Sequence, residues 1–175
     1  MDESELKAVA SQLSCPQGEG GVDIGNKMNE INSFITARTI ETLSPQQNET
    51  IAELGPGNGA LSEPVLNALG NNGIYIGIEP SGVMAREARK ILSGKNCNVE
   101  IICNDHMGAG IPGNKLDGIM AVNVLYFIEN LDEFFSKIKN WLKPGSRAVF
   151  GIRSEHSLNN MPFTQYEFVV RSIMT

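Results

Sequence analysis

Between Thr50 and Glu63 the chain reads Thr-Ile-Ala-Glu-Leu-Gly-Pro-Gly-Asn-Gly-Ala-Leu-Ser-Glu, and no other stretch constrains the fold as tightly. Ile51, Ala52 and Leu54 form the short apolar run of a buried strand. The run breaks into glycines at 55, 57 and 59 before an amphipathic stretch resumes, which spells strand, tight turn and helix start. Glycine reaches positive φ without a Cβ clash and lets a ligand approach the backbone closely. The following helix turns its free N–H groups and positive dipole end toward the same place, so a nucleotide-like ligand is expected there.

Gly55 to Ala60 also satisfies the dinucleotide fingerprint G-x-G-x-x-G/A, with Ala60 in the last place, so the glycines alone leave the ligand open. Glu53 adds a carboxylate at the strand end, and Gly59 adds a third bare backbone position. A carboxylate repels a pyrophosphate and attracts a cationic ligand.

Glu53-Leu-Gly-Pro-Gly-Asn-Gly59 resembles the first motif of the class I S-adenosylmethionine-dependent methyltransferases, and the likeness continues downstream at matching intervals over residues 48–153. In that family an acidic residue followed by G-x-G-x-G surrounds the methionyl part of the cofactor. The resemblance implies that Glu53, Gly55, Gly57 and Gly59 belong to the cofactor site.

From residue 50 onward strand-like and helix-like segments alternate, which suggests βαβ units and a doubly wound, mostly parallel, Rossmann-like sheet with helices on both faces. Ile74–Ile78 is the second strand and ends in Glu79-Pro80-Ser81. The resemblance implies that Glu79 accepts both ribose hydroxyls and that the Pro80 ring lies against the adenine; Ser81 suits a helix N-cap. Val99–Cys103 is the third strand, followed by Asn104-Asp105-His106-Met107. Asp105 matches the family's adenine contact, Met107 offers the ring soft apolar contact, and His106 faces either solvent or the cleft.

Leu116–Asn123 is the fourth strand, and in this fold its end lies beside the transferring methyl group, so Asn123 to Tyr126 are expected to line the cleft. Asn123 is not followed by Pro-Pro and an aromatic residue, the arrangement used on amide and adenine nitrogens. Asp132–Leu142 reads as a helix burying Phe134, Phe135, Ile138 and Trp141. Lys143-Pro144-Gly145 ends it, and Arg147–Ile152 is the fifth strand.

Ahead of the glycine turn, residues 1–15 carry Leu6, Val9, Ala10 and Leu13 at near-helical spacing, and Gly25–Thr42 reads as a second helix with Met28, Ile31, Ile35 and Ile40 on its apolar side. Gly21-x-x-x-Gly25-x-x-Met28-Asn29-x-x-Asn32 resembles a stretch of bacterial small-molecule methyltransferases. Residues 1–47 are therefore expected to form a helical lid over a cofactor-binding domain of residues 48–175, the whole one compact unit. After Arg153 the chain is shorter than the family's further helix and strands six and seven require. Gln165–Met174 supplies at most one more element, and a free sheet edge invites a homodimer.

Net charge −6 and a pI near 5.0 argue against a phosphate-binding surface for nucleic acid. No apolar run approaches the ~18 residues of a membrane span, and the acidic N-terminus lacks a secretory segment; a cytoplasmic location is expected. Cys15, Cys97 and Cys103 with only two histidines suggest neither a disulfide framework nor a metal site.

Methyl transfer from a sulfonium is an in-line displacement that needs alignment above all, so no obligate catalytic residue is expected. His106, Tyr126 and His156 are the base candidates should the acceptor lose a proton. The resulting reading is S-adenosylmethionine-dependent methylation of a small-molecule acceptor, leaving S-adenosylhomocysteine. The alternatives are a non-catalytic or truncated S-adenosylmethionine-binding module and an NAD(P)-dependent oxidoreductase. The latter is disfavoured by Glu53, Asp105 and the lack of a Tyr-x-x-x-Lys pair.

Overall fold

A computed structural model describes residues 1–18 and 20–171. Helices α1 (Glu3–Ser14) and α2 (Gly20–Leu43) come first. There follow β1 (Thr50–Leu54), a 3-10 turn (Ala60–Ser62), α3 (Glu63–Leu69), β2 (Ile74–Ile78), α4 (Gly82–Ile91) and β3 (Asn98–Ile102). Then come β4 (Leu116–Val122), a second 3-10 turn (Leu125–Phe127), α5 (Leu131–Trp141), β5 (Leu142–Gly151) and α6 (Glu155–Asn159), with a last 3-10 turn at Pro162–Gln165. The expectation for Gln165–Met174 falls partly on residues 172–174, which lie outside the described residues.

The five strands pair in the order β3-β2-β1-β4-β5, and every pairing is parallel. The order reverses between β1 and β4, the switch point at which open α/β sheets leave a crevice beyond their strand ends. Period-two alternation sends Ile51, Tyr75 and Met120 toward α2, α3 and α4, while Ala52, Leu54, Ile76 and Ile119 pack with Phe134, Ile138 and Trp141 of α5. Both faces are therefore apolar, and each large side chain buried there is worth roughly 1.5–3 kcal/mol.

Side-chain caps start α1, α4 and α5. Asp2 and Glu5 form a capping box on α1, Ser81 accepts from the Met84 N–H at 3.1 Å, and Asn130 accepts from the Glu133 N–H at 3.1 Å. Lys143-Pro144-Gly145 falls within β5 as an irregularity: Leu116 pairs with Leu142, but Gly118 already pairs with Arg147.

The second helix differs from its expected form. It begins at Gly20, and its buried face carries Gly21, Gly25, Thr36, Thr39, Ile40 and Leu43. Ile31 and Phe34 are 64% and 77% exposed. Close approach is the reason: a Cβ on Gly25 would sit 2.7 Å from Met84 Sδ, and one on Gly151 would sit 2.3 Å from Thr39 Oγ1, so the seam is tight at these two points and opens to larger side chains only at Ile40 and Leu43. At its C-terminal end Arg147 donates to the carbonyls of Leu43 and Ser44 and grips Glu49 at 2.9 and 2.6 Å, tying α2 to the foot of the sheet. Among the described residues no helix is long and apolar enough to cross a membrane.

Candidate functional site

A cavity of about 310 Å³ opens beyond the C-terminal ends of β1, β2 and β4, roofed by α1 and α2. Its floor is the glycine turn, where Gly55, Gly57 and Gly59 have φ of 67°, 59° and 77°. The three glycines answer to different neighbours. A Cβ on Gly55 would meet Val124 Cγ2 at 2.8 Å, and one on Gly59 would meet Leu92 Cδ1 at 2.9 Å, whereas one on Gly57 would meet nothing within 4 Å. Gly57 is the open one and lines the cavity; Gly59 is spent on packing against Leu92 and Ala88 and does not line it.

Glu79, at the end of β2, is 4% exposed and lines the same cavity. Its Oε2 accepts from the Gly57 N–H and its Oε1 from the Ser81 N–H, both at 2.9 Å, so the carboxylate spans the turn and the start of α4. Burial pushes its pKa up to about 7, against the pull of these two backbone donors. The folded chain therefore holds a proton that the unfolded chain has released between pH 4.5 and about 7. This contribution to stability is full below pH 4.5 and is lost as pH rises through 7, amounting to roughly 3 kcal/mol. Denaturant unfolding of the wild type and Glu79→Gln at pH 5 and pH 8 should show that difference; an equal gap at both pH values would mean an ordinary carboxyl.

Glu53 sits at the end of β1, is 4% exposed, and also lines the cavity. Its Oε2 receives the Tyr75 hydroxyl at 2.6 Å and the Ser62 hydroxyl at 2.7 Å. Burial holds its pKa above the usual carboxylate value, and the two hydroxyls offset only part of that rise.

Two amide clusters join α2 to the floor. Asn58 Oδ1 accepts from Asn29 Nδ2 and the Ala60 N–H, both at 3.1 Å, and Asn58 Nδ2 donates to Asn26 at 3.2 Å. Asn123 ends β4 with φ of 56°, a left-handed conformation that asparagine tolerates better than most residues. It donates to Asn32 Oδ1 at 2.9 Å and accepts from the Tyr126 hydroxyl at 3.2 Å.

Of the residues singled out in the sequence, Glu53, Gly55, Gly57, Glu79, Pro80, Asp105, His106 and Asn123 line one cavity. Asp105 Oδ1 accepts from the Gly108 N–H at 2.8 Å, which folds the loop after β3. His106 lies edge-on to Phe134 with ring centroids 5.0 Å apart, and burial lowers its pKa. Met107 is 43% exposed and is not part of the lining. Tyr126 lies behind Asn123, where its hydroxyl also accepts from the Arg153 N–H; burial raises its pKa, so it stands as a neutral donor. His156 is on α6, paired with Asn160 and outside the lining.

Sequence reasoning missed Tyr75, Ser62 and Asn58. A tyrosine in phase with Ile51 on a buried strand was the one signal for the first of these. For Asn58, the x inside the glycine turn, there was none.

The profile of the methyltransferase domain family matches residues 51–145. Highly reducing polyketide synthase 40 of Fusarium mangiferae is 30% identical over 100 residues, covering 57% of this chain and 4% of the synthase. Aklanonic acid methyltransferase DauC of a Streptomyces species is 25% identical over 114 residues, covering 65% of this chain and 52% of that protein. The chain thus spans about half of one curated relative and a small part of the other. Among solved structures, the Haloferax volcanii complex that contains the Trm112 methyltransferase activator aligns with a TM-score of 0.72 at 15% identity, covering 96% of this chain and 70% of that one. A SAM-dependent methyltransferase of Aquifex aeolicus aligns at 0.60 and 18%, covering 86% and 72%. At these identities the structures speak for the fold.

Proposed function

This chain belongs to the methyltransferase domain family, and we propose that it uses S-adenosylmethionine to methylate a small, uncharged, largely apolar acceptor. One observation carries the reading: at the sheet's switch point an open glycine, Gly57, lies hydrogen-bonded to the buried carboxylate of Glu79, with the second carboxylate of Glu53 lining the same cavity.

The residues fit the cofactor. Glu79 keeps lone pairs beyond its two backbone bonds and takes the ribose hydroxyls. The bare face of Gly57 lets the adenosyl chain pass close to the backbone. Pro80, Asp105 and His106 surround the adenine, and Glu53 faces the methionyl end. S-adenosylmethionine, when bound, supplies a methyl group activated on a sulfonium sulfur. The chain's own task is to hold the acceptor in line with it, and such alignment is worth about 7–11 kcal/mol. The walls on the β4 side, Val122, Val124, Phe127 and Ile128, exclude water, and Asn123, steadied by Asn32 and Tyr126, orients a polar atom of the acceptor. Residues 1–47 act as the cap that closes over both.

The acceptor class follows from charge. The lining carries Glu53, Glu79 and Asp105 and, among the described residues, no Lys or Arg, so no side chain there would pair with an anionic acceptor. The small-molecule reading also agrees with the names of the two curated relatives. A homodimer is proposed through β5, which pairs only with β4 among the described residues.

Calorimetric titration with S-adenosylmethionine, S-adenosylhomocysteine and NADH, with oligomeric state measured in the same buffer, tests the reading. Binding of both adenosyl ligands and not NADH is expected, followed by methyl transfer to neutral polyketide-like acceptors. No binding of either adenosyl ligand would overturn it.

A further inference from the structure

Glu53 is a nearly fully buried carboxylate with no cation beside it. Among the described residues it makes no ion pair with any Lys, Arg or His. Its partners are two neutral hydroxyls, Tyr75 at 2.6 Å and Ser62 at 2.7 Å, and both act on the same oxygen, Oε2. The two hydroxyls also touch each other at 3.0 Å, so the three groups form one closed cluster. Tyr75 and Ser62 are themselves fully buried. Among the described residues Oε1 receives no hydrogen bond, yet no fully buried side-chain polar atom there is left without a partner. Oε1 therefore reaches the cavity that Glu53 lines.

The strands build this cluster. Glu53 pairs with Gly77 on β2, and a Cβ on Gly77 would lie 3.3 Å from Tyr75 Cε1 and 3.2 Å from Pro56 Cγ. The missing side chain leaves room for the Tyr75 ring to lean along the strand toward the carboxylate two residues ahead. Ser62 comes from the 3-10 turn that the glycines lead into.

We infer that Tyr75 and Ser62 are positioning residues, which pin Glu53 Oε2 so that Oε1 faces the cavity as the acceptor for the ammonium group of the cofactor's amino-acid end. This rests on the cofactor reading above. The choice of hydroxyls has a chemical reason. An arginine or lysine in place of Tyr75 would neutralise the carboxylate, whereas neutral donors orient it, favour its ionised form and leave the charge for the ligand.

The test compares two ligands that differ at this end. S-adenosylhomocysteine carries the ammonium and carboxylate on a neutral thioether, and 5′-deoxy-5′-methylthioadenosine keeps the adenosine and thioether without them. Calorimetric affinities of both are measured for the wild type, Tyr75→Phe and Ser62→Ala, each first checked for cooperative unfolding. Tyr75→Phe is expected to weaken S-adenosylhomocysteine about tenfold, the effect of a hydrogen bond to a charged group, and to leave methylthioadenosine within about twofold. Ser62→Ala is expected to act in the same direction and decides the matter should Tyr75→Phe not fold. Equal losses for both ligands would mean a merely structural cluster and would overturn the inference, as would an unchanged S-adenosylhomocysteine affinity. A wild type that binds neither ligand would instead remove the cofactor reading beneath it.

Discussion

Replacing Glu79 by alanine is expected to lower affinity for S-adenosylmethionine by about two orders of magnitude or more while leaving the chain folded. The carboxylate is proposed to accept two ribose hydroxyls, and each hydrogen bond to a charged group is worth roughly 1.5–3 kcal/mol. At about 1.4 kcal/mol per tenfold, the pair exceeds a hundredfold even after water takes part of the place. The substitution also strips the Gly57 and Ser81 N–H groups of their acceptor, which loosens the turn. Stability suffers little, because removing the group also removes the cost of burying it, the same cost that raises its pKa to about 7. The ionised form is the one that accepts both hydroxyls, so wild-type affinity should fall as pH drops below 7, opposite to the trend in stability. Calorimetry between pH 5.5 and 8 reads both effects. A folded Glu79→Ala chain with unchanged affinity would remove the ribose assignment.

Gly57→Val should abolish cofactor binding, with an affinity loss of about a thousandfold, at a stability cost of roughly 1–3 kcal/mol. The stability cost comes from φ of 59°, which a β-branched residue adopts poorly, and not from a clash, since a Cβ there meets nothing within 4 Å. That open space is the reason for the binding loss: the new side chain stands in the volume the ligand would use. Gly59→Val reverses the balance, because its Cβ would press on Leu92 at 2.9 Å and on the Ala88 Cα at 3.4 Å under α4. It should lower the melting temperature far more than Gly57→Val. Thermal melting and titration of the two variants side by side separate the roles. Equal binding losses at equal stability would show that both glycines serve the turn alone.

What the linear chain determines here is local. The strand, glycine turn and helix start at 50–63 follow from backbone preferences that act over a few residues, and the same holds for the Ser81 and Asn130 caps. The alternation of strands and helices was enough to imply parallel βαβ units, and the carboxylates at the ends of β1 and β2 could be placed at the crevice because strand ends meet there in any such sheet. Eight of the candidate residues line one cavity for that reason.

The tertiary structure decided what depends on partners distant in sequence. The isoleucines of α2 suggested its buried face, but the helix lies so close to Met84 and to Gly151 that glycines and threonines are buried and Ile31 is left outside. Tyr75 reaches Glu53 only through the register of β1 on β2 and the gap at Gly77. Asn32 and Asn123, 91 residues apart, meet only when α2 crosses the end of β4. Which side chains touch across a sheet or a helix seam is set by pairing register and interaxial distance, and neither quantity exists until the elements have packed.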